Sequence, residues 1–418
     1  MTLAMTPPKG WNSWDAYGAS VNEEEVLRNA RIMADKLQKY GWEYIVVDIQ
    51  WYEPQANSSR YHDFYPLVMD QYSRLLPAEN RFPSAQKNLG FKPLADEIHR
   101  LGLKFGIHIM RGIPREAVHK NMAIKGTKKT ARDIALNNIC PWNSDMYGVN
   151  VDLPEGQLYY DSLLELYASW GVDFIKVDDI ADSKIYGCSH RKEIQAIQKA
   201  IQKTNREIVL SLSPGPAHIE EGPFLQDQAN MWRLTDDFWD QWPQLYQMFD
   251  KCREWSAFIQ PGSWPDCDML PLGHIGIRSV DGGASDRYTR FTKSEQRTMM
   301  TLWSIFQSPL MYGGELADLD PWTESLLTNP AVNQMHGTLT YQTEIFRDQK
   351  WIVWCGKSSD KIYYAIFNVS EEERNVPLQI IDKVLTKRRY LDLWENQFIE
   401  KEVILIESHD CILLEEVI

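Results

Sequence analysis

Along the first three quarters of the chain, two hydrophobic rhythms alternate. Short apolar runs, rich in β-branched residues, are followed by stretches in which apolar residues return every three or four positions. The first helical stretch places Val26, Ala30, Met33 and Leu37 on one face. Ser20-Val21-Asn22-Glu23 reads as a capping box in front of it, and Gly41 as its stop. A strand over 44–51 follows, apolar enough to be covered on both sides. The alternation continues with a helix over 93–101, a strand over 104–110 and a helix over 157–170 that ends at Gly171. Next come a strand over 174–177, a helix over 190–204 with Ile194, Ile197 and Ile201 in register, and a strand over 208–213. Shorter strands are read over 231–237, 264–270 and 308–314, and Gly10–Asp15 is a short aromatic segment ahead of them all.

Strand then helix, about eight times over roughly 330 residues, predicts the α/β class and a (β/α)8 TIM barrel with long loops. A doubly wound sheet is the structural alternative. It calls for a glycine-rich phosphate turn after the first strand, and Gly10-Trp11-Asn12-Ser13-Trp14 is not one. The connections over 51–91 and 110–156 are long enough to be walls or a lid over a site at the barrel mouth. Beyond Met335 strands come without helices, over 343–346, 351–355, 362–368, 376–381, 389–393, 402–406 and 412–415. That texture predicts a C-terminal antiparallel β-sandwich over 336–418, behind a catalytic barrel over 1–335.

The net charge of −14 argues against nucleic acid and anionic membranes as partners and favours neutral or small ligands. The six cysteines are widely spaced with no C-x-x-C pair, so they read as neither a disulfide framework nor a zinc site, and a reduced compartment fits them. The first ten residues lack a charged-then-apolar signal pattern and no run is long enough to span a bilayer, so a cytoplasmic location is expected. The 16 Trp and 19 Tyr exceed ordinary core needs, and their flat faces suit sugar rings, although more than half are expected to be core filling.

In the barrel reading, Trp14, Asp48, His108, Asp178, Ser213, Asp237 and Asp268 gather at the C-terminal ends of strands, where active sites of this fold sit. Asp178 and Asp237 leave different strands of that face, and two carboxylates across a cleft are what glycoside hydrolysis uses. One attacks the anomeric carbon and must stay ionised, while the other protonates the departing oxygen. Lys176 lies on the strand face of Asp178 and its ammonium favours the ionised carboxylate. Arg233, four residues before Asp237, is placed to bind a hydroxyl or a carboxylate. Asp179 reads as a cap on the next helix. The competing chemistry is a divalent ion held by Asp48, His108, Asp178 and Asp268, weakened by the lack of His-x-His or a Glu-rich ligand set. Ser13 and Ser213 lack a nucleophile-elbow context.

These residues make a resemblance visible. Thr6-Pro-Pro-Lys-Gly-Trp-Asn-Ser-Trp14, Asn80-Arg-Phe-Pro-Ser84, Gly102-Leu-Lys-Phe-Gly-Ile-His108, Trp170-Gly-Val-Asp-Phe-Ile-Lys-Val-Asp178, Trp232-Arg-x-x-x-Asp237, Trp264-Pro-Asp-Cys-Asp-Met-Leu270 and Ser308-Pro-Leu310 follow one another along nearly the whole chain. In order and rough spacing the set resembles glycoside hydrolase family 27, the α-galactosidase or melibiase family. The resemblance implies a barrel followed by a β-sandwich and hydrolysis with retention by double displacement, with neither cofactor nor metal. It implies Asp178 as nucleophile and Asp237 as acid/base, the Arg-x-x-x-Asp spacing favouring Asp237 over its neighbour Asp236. Lys176 and Arg233 match sugar-hydroxyl contacts, Trp14 an aromatic wall, Asp48 a hydroxyl acceptor and Asp268 a pocket residue; His108 and Ser213 complete the expected site.

The departures from the family pattern carry information. Where the family commonly has two adjacent Asp residues that bind the 4- and 6-hydroxyls of galactose, this chain has Asp48-Ile49. β-L-Arabinopyranose shares the ring stereochemistry of α-D-galactose without its hydroxymethyl arm, so it loses nothing against Ile49; the change resembles the β-L-arabinopyranosidase branch of the family. Ser211-Leu-Ser213-Pro-Gly-Pro216 replaces the Glu-Trp seen after this strand in many galactosidases, and a small residue there resembles α-N-acetylgalactosaminidases. Ile180 stands where the family has a cysteine after the nucleophile, which fits an intracellular enzyme. The expectation is an exo-glycosidase for terminal α-D-galactosyl or β-L-arabinopyranosyl residues of an oligosaccharide or glycoside, with α-N-acetylgalactosaminide the alternative. A catalytically silent sugar-binding protein on the same fold is the different-class alternative, and a homo-oligomer is compatible with either.

Overall fold

Eight short strands, all parallel, form the ring that the alternation predicts: β1 Lys9–Asn12, β2 Tyr44–Val47, β3 Lys104–Met110, β4 Phe174–Asp178, β5 Val209–Leu212, β6 Met231–Arg233, β7 Trp264–Asp266 and β8 Leu310–Tyr312. They hydrogen-bond in the order β7-β6-β5-β4-β3-β2-β1-β8, and a parallel bridge between Leu270 and Tyr312 joins the two ends. The computed structural model describes residues 3–58, 61–280, 285–377, 380, 389–399 and 404–417.

Period-two alternation gives each strand an inner and an outer face. Tyr44, Val46, Phe174, Val209, Met231, Trp264 and Met311 fill the barrel interior. Their chain neighbours Ile45, Val47, Ile175, Val177, Leu210 and Trp232 pack outward in the main core. Along β4 this sets Phe174 at the floor, with Lys176 and Asp178 above it on the same face, opening into the cavity at the strand ends.

The strands are shorter than the apolar runs suggest. β2 stops at Val47, not at position 51, because the next residues leave the ladder: Asp48 accepts the Ile49 N–H at 2.9 Å on its own carboxylate. β6, β7 and β8 are likewise three residues each. The first outer helix, α1 Glu23–Ile32, begins two residues later than its box suggests. Asn22 is the cap, accepting the Glu25 N–H at 3.1 Å while Glu25 takes the Asn22 N–H. Ser20 instead bonds the Tyr17 carbonyl. Replacing Asn22 by alanine is expected to cost about 1 kcal/mol, read as a lower denaturant midpoint with an unchanged slope.

Asp179 is not a helix cap. Its φ is +55°, and its carboxylate meets buried Arg111 at 2.6 Å, which also holds Glu193 at 2.9 Å. The following helix, Arg191–Lys203, starts from His190. Between β3 and the helix Pro154–Ser169, the long connection folds into a three-stranded antiparallel sheet of Ile113–Pro114, Met146–Val149 and Ala135–Ile139.

The C-terminal part is a six-stranded antiparallel sheet of β9 Tyr341–Arg347, β10 Trp351–Lys357, β11 Ile362–Asn368, β12 Arg389–Asp392, β13 Gln397–Phe398 and β14 Cys411–Val417, ordered β9-β10-β11-β14-β12-β13. A ribbon of Arg374–Asn375 with Leu405–Ile406 accompanies it. Both sheet faces are buried. Trp351, Val353, Ile366, Ile412 and Leu414 pack with Val376 and Ile406 in the sandwich core. Ile352, Trp354, Ala365, Phe367 and Leu413 join the barrel core, with Phe367 on Phe249 and Trp354 on Phe306. The strand read over 376–381 is displaced to 374–375; positions 378–379, 381 and 402–403 lie outside the described residues. Among the described residues no helix is long and apolar enough to cross a membrane, and all six cysteines are free thiols.

Candidate active site

The C-terminal rim of the barrel encloses a cavity of about 490 Å³ lined by Trp14, Asp48, Ile49, Lys176, Asp178, Arg233, Asp237 and Asp268 among others. β4 supplies the centre. Asp178 accepts a hydrogen bond from His108 Nε2, on neighbouring β3, at 3.1 Å and from the Asp179 N–H at 2.8 Å. Burial pushes its carboxyl up, but the His108 hydrogen bond and charge, the Lys176 ammonium and that N–H outweigh burial and hold it well below the usual carboxylate range. It is an ionised carboxylate facing a cavity.

Lys176 ion-pairs with Asp48, not with Asp178: its Nζ lies 3.0 Å from Asp48 Oδ2, which also accepts from Asn12 Nδ2 at 2.7 Å. Burial alone would lower the Lys176 pKa, but the Asp48 and Asp178 carboxylates raise it above the usual lysine value. Burial raises Asp48, and Lys176, His108 and Asn12 bring it below its ordinary value. Ile49 is 2 % exposed and contributes an apolar patch beside this polar cluster.

The second carboxylate, Asp237, comes from the stretch after β6. Arg233, at the end of β6, holds Asp268 Oδ2 at 2.6 Å and Asp237 Oδ1 at 3.1 Å. The Phe238 N–H also bonds Asp268, at 2.8 Å. Burial pushes Asp268 up to about 6 despite Arg233, and burial followed by the Asp268 charge pushes Asp266 up to about 7. The Asp237 side chain is 54 % exposed, against 15 % for Asp178. Asp178 is thus held in a largely buried nest of His108 and Lys176, and Asp237 stands open to solvent.

The two long connections supply the mouth. Tyr61 from the first stacks on Trp14, with ring centroids 6.2 Å apart and 21° between planes, and meets Trp142 from the second at 5.7 Å. Aromatic type and a place in the two long connections were their signals in the sequence. Lys184 and Asp236, paired at 2.7 Å, and buried Asp15 also line the cavity, and sequence reasoning did not place Lys184 or Asp15 there. His108 is fully buried and reaches the site through Asp178. Ser213 is not part of the wall: its Oγ lies 3.4 Å from the Val177 carbonyl, its own carbonyl takes the Ile180 and Ala181 N–H groups, and Pro214 lines the cavity instead.

Of the four residues weighed as metal ligands, His108 and Asp178 hydrogen-bond each other at 3.1 Å. Asp48 is held by Lys176 and Asn12, and Asp268 by Arg233. Among the described residues no three His, Cys, Asp or Glu side chains converge to hold an ion.

Comparison with known proteins matches this architecture closely. The melibiase family model "Alpha galactosidase A" matches residues 149–336. A glycoside hydrolase family 27 β-L-arabinopyranosidase from Geobacillus stearothermophilus has a TM-score of 0.96 to this chain and 56% sequence identity, covering 99% of this chain and 97% of that one. Alpha-galactosidase 2 of Arabidopsis thaliana is 26% identical over 423 residues, which is 98% of this chain and 89% of the relative. Alpha-N-acetylgalactosaminidase of Gallus gallus is 26% identical over 359 residues, 80% of this chain and 71% of the relative.

Proposed function

This chain belongs to glycoside hydrolase family 27, and from that premise we propose that it is a retaining exo-glycosidase acting on terminal β-L-arabinopyranosyl residues in preference to terminal α-D-galactosyl ones. Asp178 attacks the anomeric carbon and forms a glycosyl ester, while Asp237 gives its proton to the departing oxygen. Asp237 then takes a proton from water, which attacks the same carbon and frees Asp178; two inversions give net retention. His108 and Lys176 support the first step by keeping Asp178 ionised in a buried setting. The half-exposed position of Asp237, anchored by Arg233, suits a group that must be charged and discharged within one turnover.

The observation that carries the glycone preference is Ile49 in the cavity wall. A hydroxymethyl arm directed at it would lose a hydrogen-bond partner, whereas a pyranose lacking the arm buries only its ring edge. The 56%-identical structural relative, itself a β-L-arabinopyranosidase, supports the same order. An acetamido group at C2 is the third choice, because Pro214 lines the stretch of wall where a small residue would make room.

Hydrolysis of nitrophenyl β-L-arabinopyranoside, α-D-galactoside and α-N-acetylgalactosaminide is expected to show kcat/KM falling in that order. NMR of the first-formed sugar is expected to show the anomer of the substrate. Release of the opposite anomer would refute the double displacement, and a galactoside preferred over the arabinopyranoside would refute the assigned glycone.

A further inference from the structure

Four of the carboxylates lining the cavity besides Asp178 have a cationic partner: Asp48 has Lys176, Asp268 and Asp237 share Arg233, and Asp236 has Lys184. Asp178 is held by His108 and the Asp179 N–H. Asp15 differs from all of them. It is 3 % exposed, it lines the cavity, and its Oδ2 is fully buried without a hydrogen-bond partner. It sits in the short helix Trp14–Tyr17 just after β1, and its own carbonyl accepts the Gly276 N–H at 2.8 Å. The carboxyl group lies directly on Gly313 after β8, where a Cβ would fall 2.0 Å from Asp15 Oδ2. Gly313 itself therefore offers no side-chain donor there.

An unpartnered buried carboxyl group weakens the free protein. The helix Trp14–Tyr17, in which Asp15 is the second residue, and the turn at Gly276 use its backbone. Asp15 also lines the cavity, so a bound ligand there can offer the partner that the protein does not. We propose that Asp15 is a substrate-binding residue whose carboxyl group hydrogen-bonds a ring hydroxyl of the glycone on the β1–β8 wall. The inference rests on the glycosidase reading above and deepens it. Burial, with Asp268 next, raises the Asp15 pKa well above the usual carboxylate range, against the opposing Lys176 charge and with Asp237 and Asp240 adding to the rise. A neutral acid both donates and accepts, and a sugar hydroxyl does the same, so the two satisfy each other without a fixed charge.

The test uses Asp15→Ala and Asp15→Asn in the full chain, with nitrophenyl β-L-arabinopyranoside as substrate and free L-arabinose as inhibitor. Asp15→Ala is expected to lower kcat/KM roughly tenfold and to raise the inhibition constant of arabinose by a similar factor. Asp15→Asn, which keeps a donor and an acceptor, is expected to restore both to within about threefold of wild type. A purely structural role would lower Tm and leave kcat/KM and the inhibition constant of the folded enzyme unchanged, and that result would overturn the inference. Equal losses in both variants would overturn it as well. Should Asp15→Ala not fold, a crystal structure of an Asp178→Ala variant with bound arabinopyranoside decides: the Asp15 carboxyl must lie within hydrogen-bond distance of a glycone hydroxyl, and a gap beyond van der Waals contact defeats the inference. If the wild-type protein hydrolyses none of the three glycosides, the functional reading itself has failed; if it hydrolyses them and Asp15→Ala matches wild type, only the Asp15 inference has.

Discussion

Replacing Asp178 by alanine is expected to lower kcat on the order of 10⁴-fold or more, and added azide is expected to restore turnover while converting the substrate to a glycosyl azide of inverted configuration. The reasoning starts from the geometry of β4. The side chain that follows Lys176 on the inner face is the one carboxylate of the cavity held by His108 and the Asp179 N–H. On the proposed roles, truncation removes the group that forms the ester but leaves Asp237, Trp14, Lys176 and Arg233 in place. The space vacated by the carboxylate admits a small anion, and Lys176 still favours a negative charge there. Because azide attacks once and is not displaced, the product carries the inverted anomeric centre. Asp236→Ala is the matched control: that carboxylate is half exposed and tied to Lys184, so its loss is expected to cost far less than Asp237→Ala. Normal turnover by the Asp178 variant would remove the assignment.

The second large effect is on specificity. Ile49→Asp is expected to raise the ratio of kcat/KM for α-D-galactoside over β-L-arabinopyranoside by a factor of roughly 5 to 150, the equivalent of ~1–3 kcal/mol for one hydroxyl gaining a buried partner. Two terms set the sign. For the galactoside, the new carboxylate accepts a hydrogen bond from the hydroxymethyl arm. For the arabinopyranoside, it replaces an apolar contact with an unsatisfied anion. The variant also places a second carboxylate beside Asp48, whose Lys176 partner is already engaged at 3.0 Å, so a lower Tm is expected alongside the shift. Unchanged ratios would show that the glycone is read elsewhere in the cavity.

How much of this could be read from the chain follows from the range of the interactions involved. Helix faces such as Val26, Ala30, Met33 and Leu37 are all fully buried, because period and solvent are local facts. The β3 bounds 104–110 coincide with the structure for the same reason. Element ends were less legible. The Asn22–Glu25 cap and the early ends of β2 and β7 depend on which polar side chain captures which N–H group, a competition that spacing alone leaves open. Asp179 shows the limit most plainly. Next to Asp178 it reads as a cap, but its fate was set by Arg111, 68 residues earlier in sequence.

The site divides in the same way. That Asp48, Lys176, Asp178, Arg233, Asp237 and Asp268 belong to one rim follows from strand ends in a parallel barrel, so residue type and alternation were sufficient, and the resemblance supplied roles. The pairings were not contained in that logic. Lys176 belongs to Asp48 and Arg233 to both Asp237 and Asp268, because ring closure brings the ends of β2 and β4, with β3 between them, together across 128 residues in the first case. Ser213 turns to the backbone of β4, and Tyr61, Trp142 and Asp15 enter the cavity from loops and a short helical turn whose paths no periodicity encodes. The sequence by itself determined the alternating elements, the barrel and the set of carboxylates at its mouth, since these rest on local periodicity and on chain order. Only the tertiary structure decided which carboxylate is favoured in its ionised form, which is paired with a cation and which keeps a buried oxygen without a partner, since burial and partner distance fix those states and both are properties of the closed ring.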